Sequence, residues 1–135
     1  MKAADLMVGD WVCLKDDTKY ELPLKVDGVL TDDISLEGEG FLGGAEGLIR
    51  PVPITPEILE KNDIKKRRDE YAVFGWEGMK QWYVTLEDFK PQYDFWFITS
   101  SDRDLNIRGQ IRYVHQLQHA LRLCGLNELA NNFKV

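Results

Sequence analysis

Residues 19–26, Lys-Tyr-Glu-Leu-Pro-Leu-Lys-Val, alternate strictly between apolar and polar or Pro side chains. Tyr20, Leu22, Leu24 and Val26 fall on one face of an extended chain, and Lys19, Glu21, Pro23 and Lys25 fall on the other. A period of two is the mark of a strand with one face on a core, so the four apolar side chains are expected to be buried together. Pro23 has no N–H to give a neighbouring strand and points outward, which suits a sheet edge. The surrounding sequence continues the pattern in short pieces. "VGDWVCL" (8–14) reads as a turn at Gly9-Asp10 that enters an apolar strand. Asp27-Gly28 marks another turn, and "VLTDDISLE" carries Ile34 and Leu36 on one face. "GLIRPVPI" (47–54) is extended and stiffened by two prolines. Four or five short strands within about 55 residues predict a small SH3-like or curled antiparallel β module.

The pattern changes after residue 54. In "ITPEILEKN" (54–62), Thr55 can cap a helix, Pro56 occupies its first position, Glu57 suits the positive dipole end, and Asn62 can stop it. Aromatic strands then follow. "YAVFGW" (71–76), "QWYVTL" (81–86) and "YDFWFIT" (93–99) read as an antiparallel meander, and "DLNI" (104–107) as a further strand broken by Gly109. A helix over about 111–124, ended by Gly125, closes the pattern, with Leu129 and Phe133 inward in a last turn. The predicted class is α+β: the β module at 1–54, then a meander packed on a C-terminal amphipathic helix at 55–135, as two modules or one continuous domain.

Composition limits the partners. The 135 residues hold 23 acidic and 17 basic side chains, a net charge of −6. Overall repulsion of phosphate disfavours nucleic acid and anionic membrane surfaces. No run approaches the ~18 apolar residues of a membrane helix. Asp5 and Asp10 interrupt what would be the apolar part of an export signal, so the expected location is cytoplasmic. Cys13 and Cys124 are then expected as reduced thiols.

"YVHQLQHALRLCG" (113–125) raises a metal site, because His115 and His119 stand four apart on a helix. On a wheel of ~100° per residue, Tyr113, Leu117, Ala120, Leu121 and Cys124 form the apolar stripe. His115, His119 and Arg122 fall opposite, where a solvated face is expected. Gln116 stands where a zinc peptidase needs a glutamate base, and the chain has no third histidine. No metal ligand, cofactor-binding residue or catalytic residue is therefore assigned. "GEGFLG" (38–43) matches the glycine spacing of a dinucleotide loop, but no helix is expected after it and Glu39 would repel phosphate, so a hairpin loop is expected. Lys65, Lys66, Arg67 and Arg68 form the one cationic cluster, diluted by Asp69 and Glu70 and read as a solvated loop. Trp76, Trp82, Tyr83 and Trp96 could stack on bases or sugars, but aromatics on such strands more often form core. "TSSDRD" (99–104) reads as a polar turn.

Ile111-Arg-Tyr-Val-His-Gln-Leu-Gln-His-Ala-Leu-Arg-Leu-Cys-Gly resembles the C-terminal signature of a family of short uncharacterised proteins. They occur in gut Bacteroidales and in the prophages and mobile elements of those bacteria. The likeness rests on Tyr113, Val114, His115, Gln116, Leu117, Gln118, Leu123 and Gly125. "ITPEILEKN" and "VGDWV" are similar to the family's middle and N-terminal segments. His119 departs from the pattern, where asparagine is common, as does Asp63, where glycine is common. The resemblance implies provenance and an order of elements, and no chemistry.

The functional expectation is a non-catalytic accessory or interaction protein of a bacterial or phage-derived element, with another protein as its partner. The candidate contact residues are His115, His119, Arg122 and the cluster Lys65, Lys66, Arg67 and Arg68. Two alternatives stand beside it. One is a nucleic-acid-associated SH3-like module using the cationic cluster. The other is a small metal-dependent enzyme using the histidine helix.

Overall fold

A computed structural model describes residues 1–15, 22–77, 80–99 and 107–135. The fold is α+β, with two open antiparallel sheets, and the chain divides into two compact units. The first unit comprises Met1–Pro53 and Tyr113–Phe133 with Val135, and the second comprises Ile54–Arg112 with Lys134. The chain therefore leaves the first unit after Pro53 and returns to it at Tyr113. A division into 1–54 and 55–135 lacks this second crossing. The return is held locally, because the Val114 amide donates to the Val52 carbonyl and Pro53 bridges to Tyr113.

In the first unit the strands are β1 (Trp11–Leu14), β2 (Leu22–Val29), β3 (Ile34–Leu36), β4 (Gly40–Leu42) and β5 (Ile49–Pro51), ordered β4-β3-β2-β1-β5. The sheet is antiparallel, as expected, and open rather than a closed barrel. Val12, Val26, Ile34, Leu36 and Ile49 bury its inner face, together with Ala3 and Leu6 from the N-terminal turn. Each large side chain so buried contributes about 1.5–3 kcal/mol. Val26 behaves as the alternation demands, and Leu24 is half-buried. Leu22 does not, being 54% exposed. It stands opposite Leu14 in the last β1–β2 pair among the described residues. Tyr20 lies outside the described residues.

"GEGFLG" forms the β3–β4 hairpin, with Gly38 and Gly40 at positive φ. A helical turn, α1 (Ala45–Leu48), follows where none was expected. At four residues it offers no dinucleotide-type helix terminus. The C-terminal helix, α3 (Val114–Leu123), is shorter than the periodicity suggested, because Ile111 belongs to a strand. It ends at Cys124 and Gly125, whose φ of +80° suits glycine. α3 lies against β1, and a last helix, α4 (Asn127–Asn131), packs beside it.

The second unit opens with α2 (Pro56–Lys61). Thr55 caps it by accepting from the Ile58 amide at 3.3 Å, Pro56 takes the first position, and Leu59 is buried. Asn62 closes it and also exchanges two hydrogen bonds with the backbone of Lys134. The sheet runs β10-β9-β8-β7-β6, from β6 (Lys65–Arg67), β7 (Glu70–Glu77), β8 (Lys80–Phe89), β9 (Gln92–Thr99) and β10 (Ile107–Ile111). This is the expected meander with two additions. "KKRR" forms an exposed edge strand rather than a loop, with Arg68 at φ 57° in the turn to β7. Gly109 does not break the last strand but pairs with Phe95 inside it.

Candidate functional site

The polar constellation of the first unit is built on Asp10. Gly9, at φ +92°, turns the chain so that Asp10 points inward, where it is completely buried. A Cβ at position 9 would stand 3.2 Å from an Arg122 guanidinium nitrogen, so glycine also makes room for that side chain. The Asp10 carboxylate serves three donors. Its Oδ2 accepts from the Met7 amide at 2.8 Å and lies 2.6 Å from His119 Nε2. Its Oδ1 accepts from Arg122 Nη1 at 2.7 Å. Burial alone would raise the pKa of this carboxyl. The hydrogen bonds from His119, Arg122 and the Met7 amide outweigh burial and hold its pKa below the ordinary value of 3.8. An ionised Asp10 offers no proton, so the Nε2 of His119 carries the one in their hydrogen bond.

Beside this cluster, Gln118 is also fully buried. Its Oε1 accepts from the Trp11 amide at 3.0 Å, and its Nε2 donates to the carbonyls of Gly9 and Ala130, both at 2.9 Å. One side chain thus ties β1, the turn before it and α4 to α3. The Trp11 indole adds a bond to the Phe133 carbonyl at 2.7 Å.

His115, His119 and Arg122 were expected on a solvated face, and the structure overturns that. His115 is only 7% exposed, and His119 and Arg122 are largely covered. The wheel gave their direction correctly as opposite Leu117 and Leu121. It could not show that the N-terminal segment Met7–Asp10 lies over that side. The apolar stripe holds at Leu117 and Leu121, whereas Tyr113, Ala120 and Cys124 are only half-buried. Burial raises the Cys124 thiol to about 11, so it is not a ready thiolate.

His115 lies beside this cluster, its ring 5.8 Å from that of His119 and parallel to Tyr113 at 6.0 Å. Its Nδ1 is buried without a hydrogen-bond partner. Burial lowers its pKa from 6.5, with His119 adding to the effect and Asp10 and Asp5 opposing it, so the ring is neutral at neutral pH. Both histidines line an open concavity of about 570 Å³, with Asp5, Met7, Pro51 and Tyr113 among its walls. Its lining includes the Tyr113 phenol but no serine, threonine or cysteine. Among the described residues no group of three or more histidine, cysteine, aspartate or glutamate side chains is placed to hold a metal ion.

The other contact candidates, Lys65, Lys66, Arg67 and Arg68, belong to the second unit and are all exposed. Lys66 lies over the Tyr71 ring at 5.8 Å. The side chains of Trp76, Trp82, Tyr83 and Trp96 lie outside the described residues, as does most of "TSSDRD". Asp10 and Gln118 are the residues that sequence reasoning missed. The only trace of Asp10 was an acid straight after a glycine, entering an apolar strand. Compared with protein families, curated proteins and solved structures, the chain matches none.

Proposed function

We propose that the chain is a non-catalytic accessory protein of a bacterial or phage-derived element that acts in the cytoplasm by binding another protein. The observation that supports this reading is the commitment of the Asp10 carboxylate. An aspartate beside a histidine is the orienting half of a catalytic triad. Here both carboxylate oxygens are spent on the Met7 amide, His119 and Arg122, so the pair joins an N-terminal segment to a C-terminal helix. That is the work of a scaffold. No described helix is long and apolar enough to cross a membrane.

The test is co-expression of the tagged chain with the products of its neighbouring genes, followed by size-exclusion chromatography. Stoichiometric co-elution with one of them supports the reading. A chain that elutes alone and turns over a substrate, with turnover lost in His119→Ala, contradicts it.

A further inference from the structure

The net charge of the chain is not spread over it. Residues 26–49 contain Asp27, Asp32, Asp33, Glu37, Glu39 and Glu46 and not one lysine or arginine. Seventeen acidic and seventeen basic side chains remain elsewhere, so this stretch accounts for the whole net charge of −6. Its residues 26–42 form the hairpins β2–β3–β4, one margin of the first sheet, and carry Asp27, Asp32, Asp33, Glu37 and Glu39. Ile34 and Leu36 face the core there, and Leu42 packs on the same side. The opposite face carries the row Gly28, Ser35 and Phe41. Gly28 lets the Phe41 ring lie across it, because a Cβ at that position would meet the ring at 3.4 Å and Ser35 at 3.2 Å. Phe41 is nevertheless 60% exposed, and Leu30 in the β2–β3 loop is 56% exposed.

We propose that this outer sheet face is a docking surface for a lysine- and arginine-rich segment of a partner protein that seats an apolar side chain on Phe41. This rests on the reading of the chain as an interaction protein and names the partner's chemistry. Charge complementarity selects the occupant. Five carboxylates along these hairpins, with the preceding Lys25 engaged by the Trp11 ring and the Asn131 carbonyl, attract a basic segment and repel an acidic one or a second copy of the chain. An exposed aromatic ring packed beside a glycine supplies an apolar anchor, and an aromatic π face favours lysine or arginine nearby. The surrounding acids keep that anchor soluble while it is unoccupied.

Fluorescence anisotropy with a labelled ten-residue peptide of alternating lysine and leucine tests this, with the glutamate–leucine peptide as control. The full chain should bind the basic peptide at least tenfold more tightly than the acidic one, and more weakly as salt rises. Phe41→Ala and Leu30→Ser should each weaken binding several-fold, and Glu37→Gln with Glu39→Gln should do so while flattening the salt dependence. Glu57→Gln with Glu60→Gln, on α2, should change it less than twofold. Circular dichroism confirms that each variant is folded. Equal binding of the two peptides overturns the proposal. So does loss of binding on charge removal with none on Phe41→Ala, which is diffuse attraction, or concentration-dependent self-association through Phe41. A co-eluting natural partner that binds Phe41→Ala unchanged also removes this face, while leaving the broader reading intact.

Discussion

His119 Nε2 and Asp10 Oδ2 lie 2.6 Å apart, although 109 positions separate the two residues in the chain. The bond closes the first unit, because it fixes the turn before β1 to the helix that returns from the second unit. Arg122, one helical turn on, reaches the other oxygen of the same carboxylate.

Asp10 should therefore be among the most sensitive positions of the chain. Asp10→Ala leaves a largely buried guanidinium and the Met7 amide without their acceptor, and breaking such a pair costs about 3–5 kcal/mol. His119→Ala, which leaves the carboxylate its other donors, should cost about 1–2 kcal/mol. Glu128→Ala, on the exposed side of α4, should stay within about 0.5 kcal/mol. Urea unfolding of the three variants checks the order.

Stability should fall in two separate pH ranges. The lowered pKa of His115 means that the unfolded chain takes up a proton more readily than the folded one. Its contribution is complete above the ordinary value of 6.5 and is lost as pH falls below it. The Asp10 pKa is also lowered, so its contribution is complete above 3.8 and is lost as pH falls through the folded value. The urea midpoint should drop between about pH 7 and 5, and His115→Gln should flatten that drop while leaving the acid one. An unchanged drop in the variant would remove His115 as its source.

Leu22 and Leu36 test the corrected face of the first sheet. Leu22→Ala should cost under about 1 kcal/mol, because the side chain is already more than half exposed. Leu36→Ala should cost about 2–4 kcal/mol through lost burial and the cavity left behind. Comparable losses at both sites would restore the burial that alternation alone implies.

The strands and the second helix were legible because their signals are local. Thr55 and Pro56 begin α2 within the same turn they cap, and alternation along Tyr93–Phe95 needs no distant partner. The polar core was not legible for the opposite reason. Gln118 is a polar residue on a helix, and nothing in its neighbourhood says that the backbone of Gly9, Trp11 and Ala130 will meet all of it. A wheel ranks faces by polarity, and α3 is buried on a polar face as well as an apolar one. The same limit put Gly109 outside a strand, since its pairing with Phe95 is a property of the sheet.

Duplex DNA should bind poorly. The four cations of "KKRR" are exposed, but they stand against a chain of net charge −6. Anisotropy titration at about 150 mM salt should show no submicromolar binding, because so few phosphate contacts lose most of their strength there. Submicromolar, salt-sensitive binding abolished by replacing Lys65, Lys66, Arg67 and Arg68 with alanine would make the nucleic-acid reading the better one.

Asp10 is the clamp between the N-terminal segment and α3, and a double-mutant cycle between Asp10 and Arg122 measures it directly. Urea unfolding of the wild type, Asp10→Ala, Arg122→Met and the double variant gives the coupling. Residues in direct contact within one network couple by about 0.5–3 kcal/mol, and this buried pair should lie in the upper half of that range. Losses that simply add, to within about 0.5 kcal/mol, would mean that the carboxylate and the guanidinium do not hold each other, and the clamp would not exist.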